Sequence, residues 1–208
     1  MRFYNFLLTL AATATGVASS SQSSRCPCFL SSMQEFSAGF KQPEPPVVKP
    51  EFQAHFVQHK WNANLSHITA GYIENSPSRG FVRADEAFDG QLASSYFNYS
   101  NTTKSGLVDN TMTTYDPKST KPSVWRGYVN SNFPIFSQNI LVEAGAVYEG
   151  LVRRDFLPSP VAAWSIMYQA MIPVTVYVNE CNVVVGYDYF APELRTRVIM
   201  EFFNIQAK

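Results

Sequence analysis

Val174-Thr175-Val176-Tyr177-Val178-Asn179, close to the C-terminus, decides how the rest of the chain is read. Valine at every second position gives one apolar face, while Thr175, Tyr177 and Asn179 point the other way, which is the period of a half-buried strand. Similar runs follow at short intervals: Val183-Val184-Val185, Gly186, the aromatic stretch Tyr187, Tyr189 and Phe190, a break at Ala191-Pro192, then Arg195 to Ile205. In that last run Val198, Met200 and Phe202 share one face, and Arg197, Ile199, Glu201, Phe203 and Ile205 share the other. Both faces carry apolar groups, so the spacing predicts a strand that is covered on both sides or lines a cavity. Strands joined by only a few residues pair antiparallel, because a parallel crossover takes about a dozen residues or more. The expected core is an antiparallel sheet finished by the chain's own C-terminus.

Upstream, the same periodicity recurs. Phe52, Ala54 and Phe56 alternate with Gln53, His55 and Val57, and Ile68, Ala70 and Tyr72 share one face of Leu65 to Glu74. Arg79 to Phe88 and Gln91 to Tyr99, split by Asp89-Gly90, form the clearest hairpin signal in the chain. Gly106 to Tyr115, Val124 to Val129, Val147 to Asp155 and Trp164 to Met171 continue the series, giving roughly ten strands with no internal repeat. Between Asn132 and Ala144 the period changes, and Asn139 to Val142 fits a short helix that Gly145 could end. Phe29, Met33, Phe36 and Phe40 lie near helical spacing and allow a second. The predicted fold class is mainly β, with one or two short helices.

Composition narrows the function classes. Sixteen Lys plus Arg balance sixteen Asp plus Glu, so no overall field favours nucleic acid, and no arginine-rich stripe is present. Aromatics reach 14% while charged residues are only 15%, which points to apolar surface kept for a ligand or partner. Arg2, the apolar Phe6 to Leu10 with Ala11 and Ala12, and Gly16-Val17-Ala18 have the pattern of a secretory signal peptide over residues 1–18. Its apolar run is far shorter than the roughly 20 residues a bilayer crossing needs, and no later run is long enough, so no transmembrane segment is expected. Residues 19–50 form a Ser/Pro-rich segment, and residues 51–208 a single domain. Asn64-Leu65-Ser66, Asn98-Tyr99-Ser100 and Asn101-Thr102-Thr103 fit the glycosylation acceptor pattern and would place turns in solvent. Of the three cysteines, Cys26 or Cys28 would pair with Cys181 across the sheet, contributing roughly 3 to 5 kcal/mol through loop closure.

The usual catalytic signatures are missing: no G-x-S-x-G, H-E-x-x-H, P-loop or dinucleotide-binding glycine pattern occurs. No cofactor is implied. His55, His59 and His67 are all the histidines of the chain, and a hairpin that brought them together would offer imidazoles to a metal. Strand parity favours the alternative, exposed polar positions, since His55 and His59 oppose the Phe52, Ala54, Phe56 face. Asp85, Glu86 and Asp89 near Arg79 and Arg83 read better as ion-pairing groups than as an acid–base pair, because Glu86 points away from Arg83 and Asp85. The aromatic constellation is more informative. Phe52, Phe56, Tyr72, Phe81, Tyr96, Trp125, Trp164, Tyr187 and Phe202 are candidate contacts for a hydrophobic ligand, accompanied by Tyr148, Tyr168 and Tyr189. A filled core would use the same residues, and both readings remain open on sequence grounds.

Phe52-Gln53-Ala54-His55-Phe56-Val57-Gln58 resembles the first strand of LolA, the bacterial periplasmic lipoprotein carrier family. Gly71-Tyr72, Arg79, Arg83, Asp89-Gly90 and Tyr115-Asp116-Pro117 follow in a similar order. Gly150-Leu151-Val152, Cys181 and Phe202-Phe203-Asn204 look more like ependymin-related secreted proteins, although typical members have more cysteines. The resemblance implies an antiparallel sheet curved into an open half-barrel, partly covered by helices, whose concave apolar side holds an acyl chain or another hydrophobic ligand without catalysis. The alternative is an extracellular protein-interaction or cell-surface module that takes no small molecule.

Overall fold

The computed structural model describes residues 28, 29, 33, 40–63, 65–88, 90–168, 171–193 and 195–208. The leader, the serine run, Cys26, Asn64 and most of the Phe29 to Phe40 segment lie outside them. The described chain is mainly β. It forms β1 (Phe52–Asn62), β2 (Leu65–Ser76), β3 (Phe81–Phe88), β4 (Gln91–Thr102), β5 (Val108–Tyr115) and β6 (Ser123–Val129), then, after a short helix α1 (Ile140–Glu143), β7 (Val147–Val152), β8 (Val161–Tyr168), β9 (Ile172–Val178), β10 (Val184–Ala191) and β11 (Thr196–Ala207). A 3₁₀ turn, Pro77–Arg79, joins β2 to β3.

All the strands belong to one 11-stranded sheet in the order β6-β5-β4-β3-β2-β1-β11-β10-β9-β8-β7. Every pairing is antiparallel. The chain meanders outward from β1 to β6, crosses to the far edge at β7, and meanders back until β11 pairs with β1. First and last strands therefore meet in the middle of the sheet, and β6 and β7 are its open edges, so the sheet does not close into a barrel. Connections of at most eight residues make each meander; the single long step, residues 130–146, is the stretch where the sequence loses its strand period.

That crossing segment covers the inner face. Phe133, Phe136 and Leu141 bury themselves against Phe52, Phe56, Ile73, Val82, Phe97, Trp164, Val176, Tyr187, Met200 and Phe202, with Val48 joining from the segment before β1. Phe133 packs on Phe56 and Phe97 at ring-centroid distances of 5.4 and 5.8 Å, and Phe136 on Tyr187 at 5.6 Å. Two glycines make this packing possible by close approach. A Cβ on Gly71 would fall 1.9 Å from the Asp85 carbonyl oxygen and 2.9 Å from the Phe56 ring, and one on Gly186 would fall 2.4 Å from the Met200 carbonyl oxygen. Gly186 sits at a register shift in the β10–β9 pairing. The shift turns Tyr187 and Tyr189 to the same inner face as Val184, while Val185 joins a smaller outer cluster with Val161, Ala163 and Tyr177.

The C-terminal part of the Ser/Pro-rich segment, residues 40–50, packs against the body: Val48 N–H donates to Gln138 O at 2.9 Å and Lys49 N–H to Asn182 O at 2.8 Å. The segment is extended, as its prolines require, but it is docked. The outer face of β11 is only half covered, since Ile199 and Phe203 are partly exposed whereas Val198, Met200 and Phe202 are fully buried. Of the helices, α1 falls where Asn139 to Val142 predicted one.

Candidate functional site

The inner face is not filled everywhere. A cavity of about 520 Å³ remains between the crossing segment and the β8–β10 wall. Ile166, Tyr168, Ile172, Val174, Val176, Tyr187 and Tyr189 supply the wall, Pro134, Phe136 and Ile140 the cover, and Val108, Met171 and Ala191 further apolar surface. Polar groups stand at Ser105, Asn130, Ser131, Asn132 and Glu193. The alternation of Val174 and Val176 is what turns these side chains inward, so the stretch that decides the fold also builds the site.

Tyrosine hydroxyls latch the cover. Tyr187 Oη donates to Asn132 O at 2.6 Å, Tyr189 Oη to Asn132 Oδ1 at 2.9 Å, and Tyr99 Oη to Phe133 O. Asn75, buried at the end of β2, holds the next turn: its Nδ2 donates to Phe136 O at 3.0 Å and to Pro50 O at 2.6 Å, and its Oδ1 accepts from Phe136 N–H at 3.0 Å. One amide thus ties together β2, the segment before β1 and the cavity cover. Burial pushes the Tyr189 hydroxyl up to about 12 and that of Tyr187 well above its ordinary value, while Tyr168 is also raised by burial. These phenols stay protonated and act as donors; the wall offers burial and a few hydrogen bonds.

The aromatic candidates scatter once the sheet is formed. Tyr187 lines the cavity, together with Tyr168 and Tyr189. Phe52, Phe56, Trp164 and Phe202 lie in the packed core, and Tyr148 packs at a tilt on Trp164 with centroids 5.1 Å apart. Tyr72, Phe81 and Tyr96 have the opposite parity to the core residues of their strands: Phe81 lies beneath the Arg79 guanidinium and stacks on Tyr96, and Tyr72 meets His55 edge-on. Trp125 lies on edge strand β6, half exposed, across Gly127. A ligand in the cavity therefore meets Tyr187 from that set and residues outside it, chiefly Ile166, Ile172, Val174 and Val176. The alternating valines of β9 were the available signal. Nothing in the sequence pointed to Asn75 or Asn132, because Asn75 bonds the backbone of Phe136, 61 positions away, and Asn132 the hydroxyls of Tyr187 and Tyr189, 55 and 57 positions away.

The histidines do not converge. His55 stacks on Phe203 on the outer face, His59 lies near Trp61, and His67 pairs in register with Lys60, which has inner-face parity. Among the described residues no group of His, Cys, Asp and Glu is arranged to hold a metal. Arg83 pairs with Asp85 at 2.8 Å and Arg79 with Glu74, whereas Glu86 takes the other face. Asn98 and Asn101 occupy the end of β4 rather than a turn, and Asn101 bonds Asp109 and Tyr128. Cys28 is an exposed free thiol, and Cys181, in the β9–β10 turn, is engaged. No helix among the described residues is long and apolar enough to cross a membrane.

The fold and cavity together define an open antiparallel sheet enclosing an apolar pocket. No family model and no curated protein matches the chain. Among solved structures it is similar to a LolA superfamily protein from Nitrosomonas europaea (8% identity, 77% of this chain and 87% of that one, TM-score 0.30). It is also similar to a putative outer membrane lipoprotein-sorting protein domain from Vibrio parahaemolyticus (8%, 78% and 87%, 0.33) and to a DUF1329 family protein from Desulfovibrio piger (11%, 77% and 86%, 0.33).

Proposed function

We propose that this protein is a secreted glycoprotein that takes a lipid or other hydrophobic ligand into the β8–β10 cavity, with no covalent step and no cofactor. The observation that carries this reading is the cavity of about 520 Å³ with its predominantly apolar wall. Pockets of roughly 300 to 1,000 Å³ hold small ligands, and each methylene buried there contributes about 0.8 kcal/mol. Supporting the secreted reading are the leader-like residues 1–18, the acceptor sequences at Asn64, Asn98 and Asn101, and the cysteines. With Cys28 free and Cys181 engaged, the bridge proposed is Cys26–Cys181.

One observation favours a second reading, an extracellular protein-interaction module. Edge strand β6 exposes Val124, Trp125 and Tyr128, and Tyr115 is exposed at the end of β5 beside it. An unpaired edge with apolar side chains is a surface that another chain can extend.

Mass spectrometry of the protein from a eukaryotic secretory host separates the two. We expect a stoichiometric acyl species that is absent after denaturation and lipid-free refolding, with glycan masses and one disulfide in the intact chain. A protein that is empty as secreted and takes up no fluorescent acyl probe overturns the carrier reading in favour of the interaction module.

A further inference from the structure

The wall of the cavity continues past the cavity. Across the sheet, Tyr187 pairs with Met200, Met200 with Gln58 and Gln58 with Thr69. In the next row Tyr189 pairs with Val198, Val198 with Lys60 and Lys60 with His67. Strands lie about 4.8 Å apart, so Gln58 and Lys60 stand on the same face about 10 Å from the two cavity tyrosines. Glu86 joins them from β3, opposite Gly71, which in turn pairs with Phe56 beside Gln58. The apolar rows of β8–β10 thus run into a polar group on β1–β3.

That group has an unmet hydrogen bond. Gln58 is 2% exposed, and its Nε2 has no partner among the described residues. A buried donor left so weakens the fold, and folded proteins rarely keep one without a use. Charge in the cluster is already balanced: it holds one ammonium, Lys60, and one carboxyl, Glu86, on which the Lys60 charge acts. A charged head entering here would meet a like charge on one of them as well as an opposite charge on the other, so charge gives it little net attraction.

Resting on the carrier reading, we infer that the ligand is an amphiphile with an uncharged, hydrogen-bonding head, such as a hydroxyl, ester or amide. Its tail lies in the β8–β10 cavity and its head against Gln58, Thr69, Lys60 and Glu86. Burial raises the Glu86 carboxyl above its ordinary value, against the pull of Lys60 and the Thr69 hydroxyl, as expected of a carboxyl kept out of water in such a site.

Binding of a 1-monoacylglycerol, a fatty acid and an n-alkane of one chain length to the lipid-stripped full chain tests this. The monoacylglycerol should bind about tenfold tighter than either of the others. Gln58→Met and, separately, Thr69→Val should each bring its advantage over the alkane close to one, with circular dichroism and thermal unfolding confirming that the variants fold; should one not fold, the other decides. Equal affinities, a preference for the fatty acid, or a monoacylglycerol preference that survives the folded variants overturns the head site and leaves the carrier standing. Failure to bind any of the three overturns the carrier reading as well.

Discussion

Trp164 and Trp125 sit in opposite wings of one sheet. Trp164, on β8, is 1% exposed and packs with Tyr148 in the core; Trp125, on β6, is 45% exposed and lies across Gly127. Both are aromatic residues of antiparallel strands on the inner face. The difference is the cover. The chain crosses from β6 to β7 over the middle of the sheet, laying Phe133 on Phe56 and Phe97 and Phe136 on Phe52 and Tyr187, and Ile140 of α1 reaches the cavity there. On the β6 edge the tryptophan stays half exposed. An aromatic strand residue becomes core, cavity wall or exposed edge according to what the connection between the two meanders lays over it.

The comparison can be broken most directly at the two tryptophans. Trp164→Ala should destabilise the fold by about 3 to 5 kcal/mol through lost burial and the cavity left behind. Trp125→Ala should stay within about 0.5 kcal/mol, as surface changes do. Urea unfolding of the two variants measures both; equal costs would mean that β6 is covered as β8 is.

The latches over the cavity sharpen the same contrast on a smaller scale. Asn75→Ala leaves the Phe136 N–H and C=O without their buried partner and should cost about 1 to 3 kcal/mol. Tyr189→Phe removes one bond to Asn132 Oδ1 and should cost about 0.5 to 1.5 kcal/mol. Stopped-flow release of a bound acyl probe should be faster in Tyr189→Phe, because the cover loses a tie while the apolar wall is kept. Unchanged release would show that the cover does not gate the cavity.

The smallest effect concerns two carboxyls with opposite signs. Burial tends to raise Glu51, but bonds from the Ser78 N–H and the Ser76 hydroxyl, helped by the Arg79 charge, hold it below the ordinary 4.5. Its contribution to stability is present above 4.5 and is lost as pH falls through the lower folded value. Glu86 is raised, chiefly by burial, so its contribution is present below 4.5 and is lost as pH rises through the folded value. Thermal unfolding across pH should find Glu86→Gln more stable than wild type on the alkaline side and Glu51→Gln less stable there, the Glu51→Gln gap closing in acid. Parallel pH profiles for the two variants would contradict this.

Much of the sheet was legible because strand periodicity is local. The alternation in Val174 to Asn179, the Asp89-Gly90 hairpin and the break at Ala191-Pro192 each mark an element through side chains a few positions apart. Parity also told the faces of β1 correctly: Phe52, Ala54 and Phe56 are buried, whereas His55 and His59 point outward. It could not do so for Tyr187, because the register shift at Gly186 changes which residues of β10 face inward. Nor could it place His67, whose position opposite Lys60 follows from the β1–β2 register.

By itself, the sequence determined an antiparallel, mainly β chain, the place of the short helix and which face of most strands is apolar, since these depend on neighbours along the chain. Tertiary structure alone decided that β11 pairs with β1, that the 130–146 segment closes over the inner face, and that a cavity survives between them. Those outcomes rest on contacts between residues far apart in sequence, such as Asn75 with Phe136 and Tyr189 with Asn132, and on how fully opposing side chains fill a shared volume. Periodicity shows which side chains turn inward; whether they meet or leave a space depends on the shape of the segment laid across them.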